Sequence, residues 1–147
     1  MSAFRSYVWD PSLIIGQMLC LQSIFYSSKC VLLTLARLRG YQPSVVQLFS
    51  PQVSFAVALT QLLSAGVCAV ALYYVVQRAK QCLDFTCTYH LWHLVLVIFY
   101  SGSFPLQISW WLLQVISIIW CTVLGEYLCL RAESREIPLP FPSKYEL

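Results

Sequence analysis

His90 and His93 form an H-x-x-H pair inside an apolar run, and Glu126 lies inside another. A histidine beside a carboxylate can hold a proton, pass one on or ligate a metal. Ionisable groups set in such apolar surroundings are costly, so each counts as a functional candidate until a partner is named for it. Four readings compete. His90 and Glu126 satisfy each other and fix helix register. They relay a proton. They bind a metal. Or the groups around them receive a partner's N-terminal segment. The first is simplest. The metal reading lacks a fourth ligand, and a bis-histidine haem would need rings from two helices. No metal or cofactor is expected. The sequence has no nucleophile–base–orienter set, no Gly-rich phosphate loop and no metalloprotease motif. Asp10 and Asp84 are not placed as a carboxylate pair. These absences point away from an enzyme.

The elements that must position these residues are membrane spans. Of 147 residues, 59% are hydrophobic and 10% are charged, against about 25% charged in soluble domains. Such a chain cannot cover its surface with polar groups, so lipid is its expected solvent. A spanning helix needs about 20 mostly apolar residues. Four windows qualify: 13–28, with a further amphipathic turn or two to Leu38, then 53–76, 85–104 and 108–130. The expected fold is all-α, one four-helix membrane domain over 1–147 with a short tail from 131. Pro11, Pro51 and Pro105 stand at span starts, where a missing N–H costs least. The tight turn 101–105 makes the last two spans antiparallel neighbours. Counting inward along these spans puts His90 and Glu126 at similar depths, about 7–11 Å. Lys29 lies about 27 Å along the first span, close enough to its end to snorkel to the surface.

Orientation follows from Lys and Arg. The N-terminal tail, the 77–84 loop and the C-terminal tail share a side and carry Arg5, Arg78, Lys80, Arg131, Arg135 and Lys144. The other side has Lys29, Arg37 and Arg39. Both termini are therefore expected in the cytosol, with an uncleaved first span. Trp110, Trp111 and Tyr100 would mark the lumenal interface, and Tyr7, Trp9 and Tyr127 the cytosolic one. A cytosolic tail also discounts Lys-Tyr-Glu-Leu (144–147) as a lumenal retrieval signal.

Small and polar residues suggest seams between helices: Gly16, Cys20, Ser23 and Ser27 on the first, Ser54, Ala58, Gln61, Ala65 and Ala69 on the second, Gln114, Ser117, Cys121 and Gly125 on the fourth. Five of the seven cysteines read as small hydrophobes. Cys82 and Cys129 stand near span ends, where S-acylation is an option. The sequence has no Asn, which excludes N-glycosylation, and its scattered basic residues form no nucleic-acid patch.

Six segments, in order from residue 4 to residue 139, resemble the Sys-one family of Golgi integral membrane proteins: Phe-Arg-Ser-Tyr-Val-Trp-Asp-Pro (4–11), Arg-Ala-Lys-Gln-Cys-Leu-Asp-Phe-Thr (78–86), Phe-Tyr-Ser-Gly-Ser-Phe-Pro (99–105), Trp-Trp-Leu-Leu-Gln (110–114), Gly-Glu-Tyr-Leu-Cys-Leu-Arg (125–131) and Glu-Ile-Pro-Leu (136–139). Ala79 stands where the family pattern has Gly, and the 39–52 loop is shorter than in longer members. The resemblance implies four spans, a trans-Golgi location and a receptor for an Arf-related small GTPase with an acetylated N-terminus. That GTPase then activates a second Arf-like GTPase, which brings in vesicle-tethering golgins. On this reading Arg5, Tyr7, Trp9, Asp10, Arg78, Lys80 and Asp84 form the docking face, with His90 and Glu126 bracing the helices beneath. The partners are the GTPase and the bilayer, with no nucleic acid and no small-molecule substrate. A small proton-linked transporter built on His90, His93 and Glu126 is the alternative. It requires a water-accessible cavity reaching mid-membrane.

Overall fold

The computed structural model describes residues 10–42 and 44–136. Four helices make up the bundle: α1 (Pro11–Leu38), α2 (Phe55–Val75), α3 (Cys82–Ser101) and α4 (Ile108–Glu136). Single 3-10 turns, Val45–Leu48 and Ala79–Gln81, interrupt the first two connectors. All four helices are long and apolar enough to cross a membrane. Local chemistry sets their ends. The Asp10 carboxylate accepts from the amides of Ser12 and Leu13 at 3.0 and 3.4 Å, with Pro11 beside it in the first turn. Ser54 caps α2 through the Val57 amide. Gly102, at φ 65°, closes α3 in the left-handed conformation that glycine adopts without strain. The α3–α4 turn is then pinned by Trp111 Nε1, which donates to the Pro105 carbonyl at 3.0 Å.

The third span is accordingly shifted from the expected 85–104. Gly102 stops the helix before Phe104, and the 3-10 turn at Ala79–Gln81 lets it begin at Cys82. The fourth helix continues past residue 130 to Glu136, its polar end leaving the apolar window.

The starts of α1 and α3 and the ends of α2 and α4 share one end of the bundle, called here the near end. The opposite end, the far end, holds the 39–54 connector and the α3–α4 turn. Large apolar side chains such as Leu19, Phe99, Leu112 and Ile119 point outward, as lipid requires. Inside, Leu21, Phe25, Leu72 and Tyr89 pack around the small residues Ala65, Cys68, Ala69 and Cys121.

The α4 seam faces inward, with Gln114, Ser117, Cys121 and Gly125 all buried; in the α2 seam Gln61, Ala65 and Ala69 are buried, while Ala58 is half-buried and Ser54, at the cap, is exposed. The α1 seam does not. Gly16, Cys20, Ser23 and Ser27 are exposed, while Leu21, Phe25, Lys29 and Leu33 turn inward. The physical reason is volume. α2 brings small side chains to the interface, so α1 fills it with large ones. Gly125 marks the closest approach: a Cβ built there would lie 3.0 Å from Leu72 Cδ1. Trp110 is likewise buried rather than an interface anchor, and its indole stacks against His93.

Candidate functional site

Two groups of polar residues sit at different levels of the bundle. The deeper one is a layer shared by all four helices. His90 Nδ1 lies 2.9 Å from the Thr86 carbonyl and Nε2 lies 3.0 Å from Ser117 Oγ. A carbonyl only accepts, so Nδ1 carries the proton. Gln61 Nε2 donates to both Ser117 Oγ and Gln114 Oε1, each at 3.4 Å. The chain of donors thus runs from Gln61 through the Ser117 hydroxyl and the His90 ring to a backbone carbonyl, where it ends.

His93 Nδ1 pairs with the Tyr26 hydroxyl at 2.8 Å. The Phe25 ring lies 5.6 Å from His93, 5.9 Å from His90 and 5.0 Å from Tyr89. Lys29 Nζ sits 4.3 Å from the same ring centroid, a cation–π arrangement. Lys29 is 4% exposed. It therefore does not reach the surface as its position along the span suggested. It lies on the inward stripe of α1, four residues after Phe25, and that ring holds its ammonium within the bundle. Toward the far end, Phe49 from the connector packs on Tyr26 and Tyr100, with centroids 5.6 and 5.3 Å away.

The expected His90–Glu126 pair does not form. Both nitrogens of His90 are taken by Thr86 and Ser117. Register explains the rest. Antiparallel α3 and α4 meet at Cys82–Cys129, Thr86–Cys121 and His90–Ser117. Glu126 is nine residues beyond Ser117, about 13.5 Å further along α4. Depth counted from the ends of apolar windows misplaced it, because both windows end away from the helix ends. A crevice of about 180 Å³ does reach His90 and Gln114. Its other walls are Cys87, Leu91, Leu94, Trp110, Trp111 and Ile118, so its lining is mostly apolar.

The shallower group is the near-end turn between α2 and α3. Gln77, at φ 59°, adopts the left-handed conformation, and its amide reaches the Leu72 carbonyl at 3.1 Å. That reversal sends Arg78 and Lys80 outward, both exposed, while Ala79 is buried. The Ala79 amide donates to Glu133 Oε1 at 3.2 Å, tying the turn to α4. Asp84 is exposed in the first turn of α3, where its charge complements the helix dipole. Arg78, Lys80, Gln81 and Glu133 line a crevice of about 360 Å³. Gln17 Nε2 donates to the Val75 carbonyl at 2.9 Å and ties α1 to the adjoining end of α2.

Of the expected docking residues, the structure therefore brings Arg78, Lys80 and Asp84 to one end, with Asp10 at the start of α1 on that same end. Arg5, Tyr7 and Trp9 lie outside the described residues, as does the tail from residue 137. Glu133 was not foreseen. Its signal was its position four residues after Cys129, on the same face of a helix that outruns its apolar window. Cys82 and Cys129 are fully buried against each other, which leaves no room for an acyl chain on either sulfur. Among the described residues no group of three or more His, Cys, Asp or Glu is placed to hold a metal ion.

Residues 4–139 match the SYS1 family, described as "Integral membrane protein S linking to the trans Golgi network". A Protein SYS1 homolog of Nematostella vectensis is 39% identical over 144 residues, covering 92% of this chain and 91% of the relative. A homolog from Dictyostelium discoideum is 34% identical over 92% of this chain and 62% of its own length. Protein SYS1 of Saccharomyces cerevisiae is 28% identical over 90% of this chain and 70% of its own. No solved structure matches.

Proposed function

The chain belongs to the SYS1 family of integral membrane proteins linked to the trans-Golgi network, and from that premise we propose that it is the membrane receptor that docks an Arf-related small GTPase there. Both termini face the cytosol on this reading, following the excess of Lys and Arg on their side of the membrane. The near end of the bundle is then the docking face.

One observation carries the reading. The 77–81 turn is tied to the bundle by the Gln77 reversal and by Glu133, and Arg78 and Lys80 are exposed on it at the aqueous end. Arg78, Lys80 and Asp84 present mixed charge at this end, and Arg5, Tyr7, Trp9 and Asp10 adjoin it in the sequence reading. A small hydrophobic anchor alone gives marginal, reversible membrane binding, and stable attachment takes a second signal. A receptor resident in one organelle supplies that signal, and confinement to the surface raises effective concentration without a large interface. Golgin recruitment follows from the docked GTPase.

The arrangement favours this reading over a proton-linked transporter. Among the described residues the donor chain through His90 ends on the Thr86 carbonyl, and the hydrogen bonds of His90 go to Thr86 and Ser117 rather than to Glu126.

The test is charge reversal, Arg78→Glu with Lys80→Glu, in cells lacking the native protein. Expected is loss of most of the GTPase from Golgi membranes with the receptor at normal abundance and location. Normal recruitment by that variant would remove the near-end turn from the account.

A further inference from the structure

At the near end of the bundle two thiols meet. Cys82, the first residue of α3, and Cys129 of α4 are both fully buried, and their sulfurs are 3.7 Å apart. Gly125, one turn before Cys129, makes the contact available: a Cβ there would lie 3.7 Å from Cys82 Sγ. The other cysteines are placed differently. Cys20, Cys30 and Cys87 are exposed on the lipid-facing surface, while Cys68 and Cys121 are buried deeper. Among the described residues no other pair of sulfurs makes a hydrogen-bonding contact.

We propose that Cys82 and Cys129 form an oxidation site, at which a peroxide converts the pair to an intramolecular disulfide joining α3 to α4. A disulfide needs sulfurs about 2.05 Å apart, so the 3.7 Å contact must close by about 1.7 Å, within reach of side-chain rotation at the start of a helix. The reaction balances in two steps. One thiol gives up its proton as its sulfur attacks the peroxide; the O–O bond breaks, the departing hydroxide takes that proton to leave as water, and a sulfenic acid remains. The second thiol's sulfur then displaces hydroxide from the sulfenic sulfur, and that hydroxide leaves as water with the second thiol's proton. Two thiols have been oxidised by two electrons and one peroxide reduced to two waters. Burial selects the oxidant. Two sulfurs without solvent exposure are screened from a tripeptide disulfide, so the oxidant has to be a molecule about the size of water, such as hydrogen peroxide.

The position gives the bond a consequence. In the reduced protein Cys82 Sγ donates to the Arg78 carbonyl at 3.5 Å. Oxidation removes that proton and with it this bond to the carbonyl, one residue before the amide that Glu133 holds. The bridge therefore joins α3 to α4 directly beneath the exposed turn and changes how that turn is held. The proposal does not rest on the receptor reading.

The test uses the full chain in lipid nanodiscs, treated with hydrogen peroxide, capped with a maleimide and mapped by mass spectrometry without reduction. Expected is a crosslinked peptide pair containing Cys82 and Cys129, 2 Da lighter than the two thiol peptides, reversed by a strong reductant. It should be absent from C82S and C129S and retained in C121S. Because wild-type protein alone yields the map, a variant that folds poorly does not blunt the test. Oxidation confined to Cys20, Cys30 and Cys87, a bridge through Cys121 or Cys68, or sulfinic acid at Cys82 without a bridge would each overturn the proposal.

Discussion

The polar layer around His90 and the turn around Arg78 spend polar residues in opposite ways. In the layer every group that can turn inward does so. Gln61, Ser117 and His90 satisfy one another across three helices, and Tyr26 meets His93. At the turn, backbone and Glu133 do the holding, and the charged side chains of Arg78, Lys80 and Asp84 are left outside. Polar residues buried in a membrane are read first as chemistry, yet here they give a bundle its register, since hydrophobicity cannot distinguish one apolar helix face from another in lipid. On the receptor reading, the residues that meet a partner are the exposed ones at the turn and not those buried in the layer.

This contrast can be broken from either side. The largest expected effect is in the layer. Phe25→Ala removes the ring against which Tyr89, His90, His93 and Lys29 pack, and should cost about 3–5 kcal/mol. Unfolding in bicelles or thermal scans in detergent would measure it. A cost below about 1 kcal/mol would mean that the layer repacks freely. Gly125→Leu comes next. It forces a side chain against Leu72 and Cys82, and overpacking of this kind costs about 1–3 kcal/mol. On the receptor reading, both variants should leave GTPase selectivity unchanged in whatever fraction folds.

Lys29→Met tests the layer with the opposite sign. No described acidic residue pairs with Lys29, and replacing a buried charge by an apolar side chain of similar length is often stabilising. A rise in unfolding midpoint is expected, and a fall would show that the ammonium has a partner it depends on. Ser117→Ala leaves the His90 ring one bond short. Its cost should be about 1 kcal/mol, the scale of polar pairs within membranes. A change of the same order belongs to the turn: Glu133→Ala leaves the part-buried Ala79 amide without its acceptor and should cost about 1 kcal/mol. The receptor reading nonetheless expects several-fold weaker GTPase recruitment from it, measured as the membrane-bound fraction. Unchanged recruitment there would show that the turn needs no bracing.

Much of the architecture was legible in the sequence, for a physical reason. Span length is set by bilayer thickness, and an apolar run of the right length is hard to mistake. Gln61, Gln114 and Ser117 stood out because polar groups in such a run must find partners on another helix. Four features were hidden. The inward face of α1 was misread because small residues can serve packing from only one side of an interface, and α2 already provides them at Ala65, Cys68 and Ala69. His90 and Glu126 were matched by depth, whereas contact depends on register, which Cys82–Cys129 and Thr86–Cys121 reveal only in three dimensions. Lys29 was expected at the surface because its stem is long enough, but the reach of a side chain does not decide which way its helix face points. At the near end, Arg78, Lys80 and Asp84 were visible as loop charges. Glu133 was not, because nothing local shows that a helix will return beside a turn 54 positions earlier in the chain.

The most direct measurement is site-specific photocrosslinking in Golgi membranes. A photoreactive residue is placed either at position 80 on the near-end turn or at position 106 in the α3–α4 turn at the far end. The receptor account predicts an Arf-related GTPase adduct from position 80 and none from position 106. An adduct from 106 alone, or none from 80 while the GTPase remains on the membrane, would contradict it.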